Sequence, residues 1–160
     1  RNRITAGLKS VVCQETELRG EISIGTVLHP QCRIIAENGP IYIGKNNIIE
    51  EKVTIFNRKA LKEMQYVEGT HIGNNNVIEA RARIIGSSSI GNYCVIGAGC
   101  STESNEAIGD FTVIYGAESK RRMQSQPLPA QAALHARHLE YLREVLPKYN
   151  HLKKLEMTSS

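Results

Sequence analysis

Between His71 and Cys100 an isoleucine stands at every sixth position, at Ile72, Ile78, Ile84, Ile90 and Ile96, with small and polar residues dominating the spaces between. The ladder runs on through Thr102 to Ile108 and Ile114. A helix, at roughly 3.6 residues per turn, would rotate residues six apart off any single face, and a coiled coil at roughly 3.5 would do the same. Six is a multiple of two, so in extended chain all the rungs point to one side. The residues two before each rung point the same way, and many are small: Thr70, Ala82, Ser88, Cys94, Cys100 and Thr112. Their size suits a narrow, close-packed interior. Glycine often follows a rung, at Gly25, Gly44, Gly73, Gly91, Gly97 and Gly109, and asparagines cluster at Asn46, Asn47 and Asn74 to Asn76. Both residue types accept left-handed backbone, so the pattern predicts short strand, corner, short strand, repeated.

Traced backwards, the ladder passes through Ile55, Ile49, Ile43, Ile34, Leu28, Ile24, Leu18 and Val12. Three steps break the period. Ile24 to Leu28 is two residues short, which marks either a tight irregular corner or residues missing at that point. Ile34 to Ile43 adds three residues around Glu37 to Pro40. Ile55 to Ile72 adds eleven, so 57–69 is expected to be a loop thrown out of one corner. The repeat ends at Ile114, giving a solenoid over 10–116, a polar linker over 117–128 and a helical segment over 129–157. Pro129 is favourable at a first helical position, and good helix formers continue to an expected stop at Pro147. In this segment Leu134, Leu139, Leu142, Val145 and Leu146 form an apolar stripe opposite Arg137, Glu140 and Glu144. That stripe either packs on a wall of the solenoid or meets another subunit, and in the second case Leu139, Leu142, Val145 and Leu146 are the candidate partner-binding residues.

Composition narrows the partners. The formal charge of +4 is uneven: from Lys120 onward there are eight Lys/Arg and three Asp/Glu, while the rest of the chain is slightly acidic. Aromatics make up 5% with no Trp, so the stacking platforms of a nucleic-acid site are absent and a solvated basic face is the expectation. No apolar run approaches a membrane span, and Arg1 to Lys9 lacks the apolar core of a signal peptide. Cys13, Cys32, Cys94 and Cys100 form no CxxC pair, which fits reduced thiols in a cytoplasmic protein.

The spacing with glycine after the rung resembles the left-handed β-helix family. That resemblance, rather than the period itself, implies a left-handed course and three hexads per triangular coil. The expected fold is therefore mainly β: a single-stranded left-handed parallel β-helix, a hexapeptide-repeat solenoid of about five coils, with a C-terminal α-helix. The family includes gamma-class carbonic anhydrases and acyltransferases. Aligned by rungs and loop, the three zinc histidines of the anhydrases fall on Phe56, Ala80 and Ile85, none of which can bind a metal. An acyltransferase needs a histidine general base, for which His71, outward beside a rung, is the one solenoid candidate; His29 falls at a corner. No catalytic residue, metal or cofactor is expected.

Longer strings are more specific. "VVCQETELRGEISIG" (11–25), "HPQCRIIAENGPIYIGKNNIIEE" (29–51), "VIYGAESKRRMQ" (113–124) and "LPKYNHLKKLEM" (146–157) together resemble the dynactin subunit 6 family. The resemblance implies a non-enzymatic structural subunit of dynactin's pointed-end complex. Such a subunit pairs with a second β-helix subunit, dynactin subunit 5, and joins the actin-related protein at the filament's pointed end. It is cytoplasmic and cytoskeleton-associated, supports microtubule-based transport by dynein and its adaptors indirectly, and needs neither nucleic acid nor membrane insertion. The competing expectation is a hexapeptide-repeat enzyme of the acyltransferase or anhydrase kind.

Overall fold

In a computed structural model, which describes residues 2–57, 69–125 and 129–158, the chain winds into a left-handed parallel β-helix with one helix along its side. The first coil consists of β1 (Arg3–Gly7), β2 (Val11–Val12) and β3 (Glu17–Arg19). The second is β4 (Glu21–Leu28) and β5 (Arg33–Ala36), and the third is β6 (Ile41–Ile49) and β7 (Thr54–Asn57). Next come β8 (Thr70–Ile72), β9 (Val77–Ile78) and β10 (Arg83–Ile85), then β11 (Ser89–Ile90) and β12 (Val95–Ile96), which open the fifth coil. A partial sixth holds β13 (Ala107–Ile108) and β14 (Thr112–Tyr115), followed by β15 (Lys120–Met123), α1 (Pro129–Tyr149) and β16 (Glu156–Thr158).

Parallel pairing stacks the rungs in three columns, one per wall. Face I carries Ala6, Ile24, Ile43, Ile72, Ile90 and Ile108 in register. Face II carries Val12, Leu28, Ile49, Ile78, Ile96 and Ile114. Face III carries Leu18, Ile34, Ile55 and Ile84, with Thr102 following the bridge from Arg83 to Ser101. Every one of these side chains is buried, and all but Ala6 and Thr102 belong to one continuous apolar core. The repeat begins one rung earlier than the apolar ladder shows, at Ala6, and the first strand starts at Arg3 rather than at 10. Alanine is too small to stand out as a rung in a sequence of isoleucines.

The short step from Ile24 to Leu28 is a tight corner. β4 runs through it unbroken, and its pairing with β6 shifts register between Ile24 and Gly25 and again between Gly25 and Val27. The glycines after face I rungs have a reason other than left-handed backbone, since none of them has positive φ. They stack as a spine where successive corners nearly touch. A Cβ on Gly44 would sit 2.5 Å from the Gly73 carbonyl oxygen, and one on Gly73 would sit 2.4 Å from that of Gly91. Positive φ falls instead on the third residue after a rung, at Asn46, Asn75, Tyr93 and Phe111 on this corner.

Inside the same corner a column of polar side chains takes the place of isoleucine. The amide of Asn47 accepts from Asn76 N at 2.8 Å and donates to the Gly73 carbonyl at 2.8 Å. Asn76 repeats the pattern with Cys94 N at 2.7 Å and Gly91 O at 2.9 Å. Both asparagines are fully buried. Buried polar groups are tolerated because each is paired, so Asn76→Ala leaves the Cys94 amide and the Gly91 carbonyl without partners, at about 1–3 kcal/mol each. The expected result is a drop in stability of about 2–5 kcal/mol in urea unfolding, larger than a methyl-scale trimming would give.

The chain covers one wall at each of its own ends. β15, inside the segment expected to be a linker, folds back antiparallel on β14 and covers the last edge of face II. Arg121 of β15 pairs with Glu106 at 2.6 Å, and the guanidinium holds that carboxyl below the ordinary glutamate range. At the other end, residues 151–158 are not helical. Leu152 bridges antiparallel to Cys13, and β16 adds parallel to β1, covering the first edge of face I. Unpaired edges template aggregation, so a solenoid needs such caps. The helix continues past Pro147 to Tyr149. In the last turn a proline removes only the bond to the carbonyl four residues earlier, and Asn150 N still reaches Leu146 O at 2.9 Å. Of the expected loop over 57–69, residues 58–68 lie outside the described residues.

Candidate functional site: the walls and the helix

The outward side of face II is apolar. Val11, Val27 and Ile48 stand one residue before their rungs and so point away from the solenoid interior, yet all three are buried. Leu139, Leu142 and Leu146 of α1 cover them, with Cys13, as a second apolar cluster separate from the core. These leucines recur at helical spacing, so one stripe meets one wall. Polar contacts fix the register: Arg143 donates to the Lys9 carbonyl and to Asn46 Oδ1, each at 3.1 Å, and His135 Nε2 donates to the Asn46 carbonyl at 2.7 Å.

Three of the four candidate partner-binding residues, Leu139, Leu142 and Leu146, are therefore engaged with the protein's own wall. Of the two courses the sequence left open for this stripe, these three leucines take the first, packing on a wall of the solenoid. A wall with an apolar outer column cannot stay bare in water, and the tethered helix reaches it first. The fourth, Val145, is half-buried. It aligns with a different stripe of α1, Leu134, His138 and Tyr141, in which Leu134 is 60% and Tyr141 57% exposed and the His138 and Tyr141 rings stack at 6.4 Å. The sequence pattern merged these two stripes into one, because a single helical projection does not say which of two neighbouring stripes a wall will take.

Phe56, Ala80 and Ile85, the positions that alignment by rungs sets against anhydrase zinc ligands, lie about face III. Phe56 and Ile85 are register partners on its outer side, with the Arg33 guanidinium 5.4 Å from the Phe56 ring centroid. Ala80 sits at the preceding corner, where its N–H donates to Glu50 Oε1 at 3.1 Å. Glu79 serves the next coil in the same way through Ala98 N at 3.1 Å. These two carboxylates are corner ties between coils. Among the described residues no three His, Cys, Asp or Glu side chains gather at metal-binding distance.

His71 is exposed on face I and stacks on Tyr42, ring centroids 5.0 Å apart. Its neighbours in register are Tyr42 and Ser89, neither of which supplies the carboxylate that would orient a catalytic imidazole. His29 is buried, and its Nδ1–H donates to the Ile49 carbonyl at 2.9 Å, a structural bond between coils. All four cysteines are free and buried. Burial pushes the Cys32 thiol up to about 12, and Cys13, buried and near Glu51 and Glu15, up to about 11, so neither is a nucleophile at neutral pH. The Cys94 thiol, also raised by burial, donates to the Gly109 carbonyl at 3.1 Å. No helix among the described residues is long and apolar enough to cross a membrane.

Comparison with known proteins places this geometry. The family model described as bacterial transferase hexapeptide, six repeats, matches residues 69–102. A dynactin subunit 6 from Nematostella vectensis is 41% identical, covering 95% of this chain and 93% of that protein. A dynactin subunit 6 from Danio rerio is 38% identical, covering 98% and 90%. Among solved structures, an N-acyltransferase from Bacillus cereus in complex with a dideoxyaminoglucose nucleotide and coenzyme A superimposes with a TM-score of 0.55. It covers 86% of this chain and 90% of that one at 12% identity, a likeness of fold alone.

Proposed function

The chain belongs to the dynactin subunit 6 family, and from that premise we propose that it is a non-enzymatic assembly subunit of dynactin's pointed-end complex. In this reading it pairs with the partner β-helix subunit, dynactin subunit 5, and adjoins the actin-related protein at the filament's pointed end. It thereby supports dynein–dynactin transport from a cytoplasmic, cytoskeleton-associated position. The observation that carries the reading is the extent of the similarity, which spans 95% of the chain and so extends beyond the solenoid into α1, the helix that covers face II. The stacked strands offer flat walls for such contacts.

With face II closed by its own helix, neighbours meet faces I and III and the outer stripe of α1. Leu134 and Tyr141 are the exposed apolar anchors there, and exposed aromatic and aliphatic anchors dominate interface energetics. Co-expression with dynactin subunit 5 followed by size-exclusion chromatography is expected to yield a stoichiometric complex. Leu134→Asp combined with Tyr141→Asp weakens that complex by about tenfold or more while leaving the melting temperature unchanged. Absence of association, or saturable acetyl-coenzyme A turnover that His71→Ala abolishes, would overturn the reading in favour of an enzyme.

A further inference from the structure

The one short step of the ladder makes a notch. Between rungs on faces I and II the first coil has five residues (7–11) and the third has five (44–48), but the second has three (25–27). The second corner is thus drawn inward, held by the Thr26 hydroxyl donating to the Asn47 carbonyl, while the corners on either side project past it. The result is a cavity of about 740 Å³ open to solvent, between the Leu8–Lys9 turn and the Lys45–Asn46 turn. Gly25 lies at its floor, where a Cβ would come within 2.8 Å of the Gly44 carbonyl oxygen. One side is the Tyr42–His71 stack on face I. Behind it Arg143 bonds both rims, at Lys9 O and Asn46 Oδ1, so the opening is braced.

Two features of the lining are independent of its shape. Lys9 and Lys45 stand exposed on opposite rims, no Asp or Glu lines the cavity, and neither lysine makes an ion pair among the described residues. Between them lie two apolar surfaces open to water, Leu8 at 63% and Tyr42 at 40% exposure. Three backbone donors around the cavity are already used: Lys45 N bonds Asn74 Oδ1, Ser10 N bonds Gly7 O, and Gly73 N bonds Ile90 O. A phosphate site would want those N–H groups free. What remains is positive charge beside apolar surface in a recess of ligand size.

We propose that this notch docks an extended acidic segment of a partner protein, one carboxylate lying between Lys9 and Lys45 and an adjacent aromatic or aliphatic side chain packing on Leu8 and Tyr42. Complementary charge steers the encounter and fixes register, and the apolar contact supplies most of the affinity. The proposal rests on the notch alone and stands apart from the assembly role argued above.

A random-peptide display library selected on the full-length protein tests it. The expected consensus carries Asp or Glu beside an aromatic or aliphatic residue. The corresponding synthetic peptide, followed by fluorescence anisotropy, loses about tenfold or more in affinity with Lys9→Glu plus Lys45→Glu and a similar factor with Leu8→Ser. Binding weakens as salt rises, and Lys120→Glu at the far end of the solenoid changes nothing. All four substituted side chains are exposed, and should the double charge reversal lower the melting temperature, Leu8→Ser decides by itself. Enrichment of no consensus, a basic or uncharged consensus, binding indifferent to these substitutions, or displacement by inorganic pyrophosphate as effective as by the peptide would each overturn the proposal.

Discussion

Replacing Leu139 and Leu142 together by aspartate is expected to strip α1 from face II and lower the melting temperature by at least about 10 °C. Both leucines are buried against Val11, Val27 and Ile48. Truncating such a side chain to alanine costs about 2–5 kcal/mol, and a carboxylate adds the penalty of leaving water unpaired. Each kcal/mol corresponds to roughly 2–4 °C for a chain of this size. The helix does not leave alone. Residues 151–158, which cap β1 and bridge to Cys13, follow it in the chain and lose their tether. Faster hydrogen exchange should therefore appear at both α1 and β1, with β8 to β12 still protected. Trypsin cleavage within 129–149 and loss of helical circular dichroism give the same answer. If the double variant kept both its melting temperature and its binding to dynactin subunit 5, α1 would be neither a wall cover nor an interface. Leu134→Asp plus Tyr141→Asp is the control, since those side chains are exposed on the same helix and their replacement leaves stability within about 2 °C of the parent.

The second large effect is in the core. Ile78 is fully buried on face II, held in register between Ile49 and Ile96. Ile78→Val should cost about 1 kcal/mol and Ile78→Ala about 2–5 kcal/mol. Ile78→Asp should abolish the cooperative transition, because its carboxylate would face a dry interior of stacked isoleucines with no cation to pair it. Each coil touches only its neighbours, so position along the stack matters as much as burial. Ile108, in the last coil, pairs among the described residues with Ile90 alone, and Ile108→Ala should cost less than Ile78→Ala. Chemical denaturation of the two alanine variants checks the order, and equal losses would mean that the solenoid unfolds without regard to neighbour coupling.

Much of this architecture is readable from the residues. The rung at every sixth position stands out because strand geometry repeats in twos and a triangular coil repeats in threes, so buried positions recur where no helix could place them. The glycine spine is readable too, although the reason for it is not. Left-handed backbone is the usual cause of such glycines, whereas here the cause is the approach of Gly44 and Gly73 to the carbonyl of the next coil, a distance that exists only once coils are stacked. Asn47 and Asn76 look like surface turn residues in sequence and lie at 0% exposure, because the amide of each is satisfied by the coil that follows it. Ala6 passes unnoticed as a rung for a simpler reason, that its size carries no apolar signal.

The sequence by itself determined the repeat, its inward face, its corners and the helix that follows, because these depend on neighbours a few residues away and on a fixed period. It also carried the strings that mark the family. Only the tertiary structure decided which stripe of α1 is covered and which is open, since Leu134 and Leu139 are the same residue on the same helix and differ in the wall beneath them. The tertiary structure alone likewise turned the two-residue shortfall after Ile24 into a recess, because a short corner is an irregularity in one strand and becomes a cavity only between two longer ones. The cap at β16 belongs to the same class. It pairs residues far apart in the chain, Met157 with Ala6 among them, and no local pattern specifies a partner at that distance.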